Sequence, residues 1–126
     1  MKNTNRFKGT LNKHHGVKLM DFRFNGRQYE VRATEHSLQR FIERKLNVDE
    51  ALGSIVALGK SRLDYFANVG ADVAIIDKIQ HQTVIITFES EDDYTQIRIA
   101  TVIPRSRVFV KDGTKIYNLK EYKEGF

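Results

Sequence analysis

Residues 34–59, TEHSLQRFIERKLNVDEALGSIVALG, decide the reading of the fold. Apolar residues recur here at helical spacing, and a break falls near Asn47. On a wheel of about 100° per residue, Leu38, Phe41, Ile42 and Leu46 lie on one side, and His36, Arg40 and Arg44 on the other. Thr34 is a good N-cap for the first helix, which the pattern carries to Leu46. Asn47, with Glu50 three residues on, caps a second helix over 48–58. In that helix Val48, Ala51, Leu52, Ile55 and Leu58 share a face, and Asp49 and Glu50 suit the dipole of its first turn. Gly59 is the predicted stop.

The first helix also carries the candidate chemistry. His36, Arg40 and Arg44 stand at i, i+4 and i+8, so an imidazole and two guanidiniums form one row. Like charges at that spacing repel by about 0.2–0.5 kcal/mol per pair, a cost that a bound anion reverses. Two readings stay open: an anion site, or a solvated charged face with Glu43 relieving Arg40.

Before this stretch, VKLMDFRFNGRQYEVRA places Asn25-Gly26 between alternating apolar residues, which predicts a hairpin with strands near 18–24 and 27–33. After Gly59 the apolar period changes to two. Strands are predicted near 62–67, 72–79, 83–89 and 96–103, with short ones near 107–110 and 115–119. Val84-Ile85-Ile86 is apolar on both faces, as in a central strand. In 96–103 the alternation predicts Ile97, Ile99, Thr101 and Ile103 on one face and Arg98, Ala100 and Val102 on the other. Pro104 ends that strand, and Glu91-Asp92-Asp93 reads as an exposed hairpin tip. The expected class is α+β: an N-terminal β-hairpin, two short helices, then a four- or five-stranded antiparallel sheet covered on one face.

The chain has 126 residues and a net charge of +5, which suits a single domain over 17–126. The positive excess sits in residues 1–33, where eight Lys/Arg face two acids. Residues 1–16 lack acids and read as a basic arm suited to a polyanion. No run is long enough for a membrane span and no apolar leader follows the first basic residues, so the expected location is the cytoplasm. With no cysteine in the chain, disulfides and thiol catalysis are excluded. His14, His15, His36 and His81 form no ligand pair at helical spacing, and neither a Walker loop nor a dinucleotide glycine fingerprint occurs. No metal and no cofactor is expected.

What remains fits metal-free phosphodiester chemistry. Imidazole, with a free-solution pKa of about 6.5, can act as acid or base, and guanidiniums can neutralise charge on phosphoryl oxygens. Lys18, Arg32, Arg98, Arg105 and Arg107 are candidate contacts to flanking phosphates, Tyr94 or Phe109 a candidate stacking platform, and His81 a candidate second acid–base group.

VRATEHSLQRFIERKLNVDEALGSIVALGK, together with VAIIDKIQHQTVIITFE and QIRIATVIP, resembles small bacterial and phage domains grouped with the RelE-like and barnase-like ribonuclease toxins. The resemblance spans a little over half the chain. It implies a RelE/barnase-like arrangement and RNase activity. It maps a helix histidine and arginines onto His36, Arg40 and Arg44, and a last-strand hydroxyl onto Thr101. The expected partner is RNA or another polyanion, with an antitoxin or a host protein as a protein partner. The alternative is a non-catalytic phage or bacterial protein that binds and inhibits a host protein.

Overall fold

The computed structural model describes residues 16–119. In chain order they form β1 (Val17–Phe24), β2 (Arg27–Ala33), α1 (Glu35–Glu43), α2 (Val48–Leu58), α3 (Lys60–Val69), β3 (Val73–Asp77), β4 (Gln82–Glu91), β5 (Tyr94–Ile103) and β6 (Lys115–Asn118). The six strands make one mixed sheet, ordered β1-β2-β5-β4-β3-β6. The pairs β1–β2, β5–β4 and β4–β3 are antiparallel, whereas β2–β5 and β3–β6 are parallel. The class is α+β, as the sequence predicts. The sheet corrects the expected one: it has six strands, is mixed, and takes in the N-terminal hairpin through the parallel β2–β5 ladder.

The local signals hold where they are strongest. Asn25 and Gly26 take φ of 52° and 74°, the left-handed pair that a two-residue hairpin turn requires. At the other end of β1, Gly16 has φ of 64°, and a Cβ there would lie 2.2 Å from the Ala33 carbonyl oxygen. Only glycine lets the chain pass so close to the end of β2. The Thr34 hydroxyl accepts the Ser37 N–H at 2.9 Å, and the Asn47 side chain accepts Asp49 and Glu50 N–H at 2.7 and 3.3 Å.

α1 ends before Leu46. Arg44 is its C-cap, and Lys45 has a φ of 56°. The Leu46 N–H reaches the Phe41 carbonyl and the Lys45 N–H reaches the Ile42 carbonyl, the pair of bonds that defines a Schellman stop. Leu46 therefore leaves the helix but stays beside Phe41.

One expected strand is a helix. Residues 62–67 belong to α3, whose Leu63 and Ala67 are buried and whose Phe66 is half-buried. That i, i+3, i+4 spacing is helical; the aromatic pair Tyr65-Phe66 gave the false strand signal. Gly59, with φ of 96°, ends α2 and starts α3 directly. Residues 107–110 are not a strand. They belong to the crossover from β5 to β6, and the Thr83 hydroxyl donates to the Arg105 carbonyl at its start, 2.9 Å away.

A single apolar cluster lies between the helices and the sheet. Phe41, Ala51, Ile55, Leu58, Leu63 and Ala67 supply the helical side, and Tyr29, Val31, Val73, Ile75, Val84, Ile86, Ile97, Ile99 and Val102 the strand side. The predicted even alternation of β5 fails within this set. The β4–β5 register pairs Ile86 with Ile99 but Ile85 with Thr101, so Ala100 is a bulge. The extra residue returns Val102 to the core face with Ile97 and Ile99, and puts Thr101 on the side of Ile85.

α2 is fixed to the β3–β4 hairpin by buried polar groups. The Ser54 hydroxyl donates to Asp77 at 2.7 Å, and the Gln82 amide donates to Ser54 at 2.8 Å and to the Glu50 carbonyl at 3.0 Å. The other Asp77 oxygen accepts Ile79 and Gln80 N–H, both at 3.0 Å.

Gly53 has no comparable role. A Cβ there meets nothing within 4 Å, so the glycine is not a close-packing contact. Gly53→Ala should stabilise the protein by about 0.5–1 kcal/mol, because it restores helix propensity at an exposed site. Urea denaturation reads this as a higher midpoint at an unchanged slope.

Candidate functional site

The β2–β5 ladder ends at the pair Arg32–Arg98. One residue after Ala33 the chain turns into α1, which lies against β5 beyond that point. The strand edge vacated by β2 and the overlying helix bound an open cleft with about 420 Å³ of empty space. Its walls are His36, Ser37, Arg40, Phe41 and Arg44 of α1 and its cap, Leu46 just beyond, and Ala100, Thr101 and Val102 of β5. Four of the five residues read as catalytic from the sequence, His36, Arg40, Arg44 and Thr101, thus meet at one place.

The row is open to solvent. His36, Arg40 and Arg44 are exposed, and among the described residues their side chains make no hydrogen bond or ion pair. Glu43 does not pair with Arg40, so the repulsion along the row is not relieved from within. Arg40, in the last turn of α1, and Arg44 at its C-cap are favoured by the negative end of the helix dipole. An anion is favoured at the opposite end, so the place best suited to a phosphate is between His36 and Arg40.

The wheel is corrected in two places. Ile42, expected in the core with Leu38, Phe41 and Leu46, is 77 % exposed. Phe41 is buried yet lines the cleft beside the arginines. It stands only about 60° from Arg44 at the helical pitch, and the Schellman turn brings Leu46 alongside it. The basic row therefore has an apolar floor. Ser37, Ala100 and Val102 were not candidates from the sequence. Ser37 adjoins His36 on the helix; the bulge at Ala100 had no sequence signal.

The remaining candidates lie elsewhere. Lys18 pairs with Asp21 at 2.8 Å, Arg32 with Glu30 at 2.9 Å, and Arg98 with Glu89 at 2.7 Å. Arg98 also donates to Gln96 at 3.0 Å, and Tyr94 donates to Glu30 at 2.8 Å. Arg98–Glu89 and Tyr94–Glu30 cross between strands, while Lys18–Asp21 and Arg32–Glu30 pair within one strand, so each of these bases has an acid partner. Burial raises the pKa of Glu30, but hydrogen bonds from Tyr94 and Arg32 outweigh this and lower it below the ordinary range. Burial and the bond to Glu30 raise the Tyr94 phenol. Tyr94 is 6 % exposed, which removes it as a stacking platform. Phe109, by contrast, is fully exposed. His81 sits in the β3–β4 turn with φ of 55° and does not line the cleft. Arg105 and Arg107 are exposed and follow the end of β5. The basic arm lies outside the described residues except for Gly16. Among the described residues no three of His, Cys, Asp or Glu cluster closely enough to hold a metal ion, and no helix is long and apolar enough to cross a membrane.

Searches of protein-family models, of curated proteins and of solved structures each found no match to this chain.

Proposed function

We propose that the α1–β5 cleft binds the phosphodiester backbone of RNA and that His36 supplies acid–base chemistry for metal-free cleavage. One observation carries this reading: an imidazole and two guanidiniums line a cleft in which, among the described residues, no carboxylate pairs with them. A phosphodiester supplies the missing negative charge, and a planar guanidinium can hold two of its oxygens. The likeness of the helix row and of the Thr-bearing strand to RelE-like and barnase-like ribonucleases supports the same reading, as does the basic N-terminal third. On it the protein acts in the cytoplasm, as a toxin whose antitoxin covers this cleft.

The reaction is attack of a ribose O2′ on the adjacent phosphorus. The O2′–P bond forms, the P–O5′ bond breaks, and the products carry a 2′,3′-cyclic phosphate and a free 5′-hydroxyl. A proton leaves O2′ and another reaches O5′. Among the described residues His36 is the only imidazole or carboxylate lining the cleft, so it performs one of these transfers and solvent the other. Arg40 and Arg44 neutralise charge that grows on the phosphoryl oxygens, and the Thr101 hydroxyl is a further donor beside them.

The test is cleavage of labelled single-stranded RNA in the presence of EDTA, with binding measured on a substrate that lacks the attacking hydroxyl. Arg40→Lys keeps the charge but loses the fork, so affinity should fall about tenfold. Arg40→Ala should also reduce the slope of log affinity against log salt by about 0.7, the value for one phosphate contact on a single strand. Neither cleavage nor salt-dependent binding would overturn the proposal. The non-catalytic reading, inhibition of a host protein, has its own observation in Ile42, an exposed apolar side chain on the same helix. It requires Ile42→Asp to abolish partner capture while the arginine variants do not.

A further inference from the structure

Among the described residues, the inner wall of the cleft is a bare strand edge. β2 pairs with β5 only from Tyr94 to Arg98, and β4 occupies the other side of β5 as far as Ile103. Along Ala100–Val102, among the described residues, no strand pairs with β5 on the side away from β4. The Ile103 carbonyl beyond them accepts the Arg105 N–H, and among the described residues no turn or loop backbone bond involves Ala100, Thr101 or Val102. Edge groups of this kind carry unspent donors and acceptors in alternation. In most proteins such an edge is covered or charged; here it opens into the arginine-lined cleft, with the Ala100 bulge in the middle of it.

We infer that the free edge of β5 at Ala100–Val102 hydrogen-bonds to the base of the nucleotide whose phosphate lies on Arg40. This rests on the RNA-binding reading above and adds the substrate class. A nucleobase presents donors and acceptors side by side in one plane, as a neighbouring strand does. It takes the place that β2 vacates after Arg98. A base paired within a duplex has its Watson–Crick edge occupied, so the site selects unpaired nucleotides. The apolar floor of Phe41 and Leu46 suits the base and not the phosphate, and so separates the two halves of the ligand within one cleft.

The experiment is titration of the full chain, followed through its backbone amide spectrum, with three probes. They are inorganic phosphate, a uridylyl dinucleotide made uncleavable by a 2′-deoxy first sugar, and the same dinucleotide lacking its bases. All three should shift amides of α1. Only the base-bearing dinucleotide should shift amides within Ala100–Val102, and it should bind at least about tenfold more tightly than the abasic one, the worth of about one net hydrogen bond. Equal affinity and equal shifts for the two dinucleotides would overturn base recognition by β5 and leave the phosphate site standing. No shift in α1 with any probe would overturn the RNA-binding reading and this inference with it.

Discussion

His36→Ala should lower the rate of RNA cleavage by about 10²–10⁴, the range for loss of a general acid–base group. Its melting temperature should hardly move, because an exposed substitution without partners changes stability by less than about 0.5 kcal/mol. His36 is exposed and makes no hydrogen bond among the described residues, so nothing in the fold depends on its ring. Binding should survive, since Arg40 and Arg44 remain. The three readouts belong together: cleavage rate, affinity for an uncleavable strand, and melting temperature. Cleavage that is unchanged in the variant would remove His36 from the chemistry. A large drop in melting temperature would make it a structural residue instead.

Asp77→Ala should produce the largest loss of stability outside the apolar core. The carboxylate is only 7 % exposed and accepts from Ser54 and from two backbone N–H groups of the β3–β4 turn. Removing it leaves those two amides without their acceptor and frees Ser54, itself fully buried. Bonds to a charged acceptor are worth about 1.5–3 kcal/mol each and are not additive, so the loss should be about 2–4 kcal/mol. At about 3–6 °C per kcal/mol for a domain of this size, the melting temperature should fall by about 10 °C. Asp77→Asn should recover most of this, because its carbonyl oxygen can still accept the turn amides and its amide group can donate to Ser54. If Asn is as damaging as Ala, charge rather than hydrogen-bond geometry holds the turn. RNA cleavage at a temperature where both variants are folded should be unchanged, since Asp77 does not line the cleft.

Much of the site was legible because it is local. The i, i+4, i+8 row is a property of one helix, and the caps at Thr34 and Asn47 bracket that helix within a few residues. Arg32, Arg98 and Lys18 looked equivalent to Arg40 and Arg44 in the sequence. The difference is set by neighbours: Glu89 and Arg98 meet across β4 and β5, Tyr94 of β5 donates to Glu30, which pairs with Arg32 two residues on in β2, and Lys18 pairs with Asp21 in β1. For Arg98 no local pattern shows the Glu89 carboxylate across the strand, because strand register brings it there. The missed α3 has a different cause. Its apolar residues fit a helix, but an aromatic pair and the glycine before it fit a strand boundary equally well, and packing against the sheet decided between them.

By itself the sequence determined the α+β class, the Asn25-Gly26 turn, the break between the first two helices, and the presence of His36, Arg40 and Arg44 on one side of the first. These follow from backbone sterics and helical pitch, which act over a few residues. Tertiary structure alone decided that the β2–β5 ladder stops at the Arg32–Arg98 pair and, among the described residues, leaves an edge of β5 free, that a bulge at Ala100 shifts the faces of β5, and that the helix row lies over that edge. Each depends on strand register between segments some 65 residues apart in the chain, as in the pairing of Arg32 with Arg98. Register is fixed by the fit of the whole core, and no single stretch of sequence carries it.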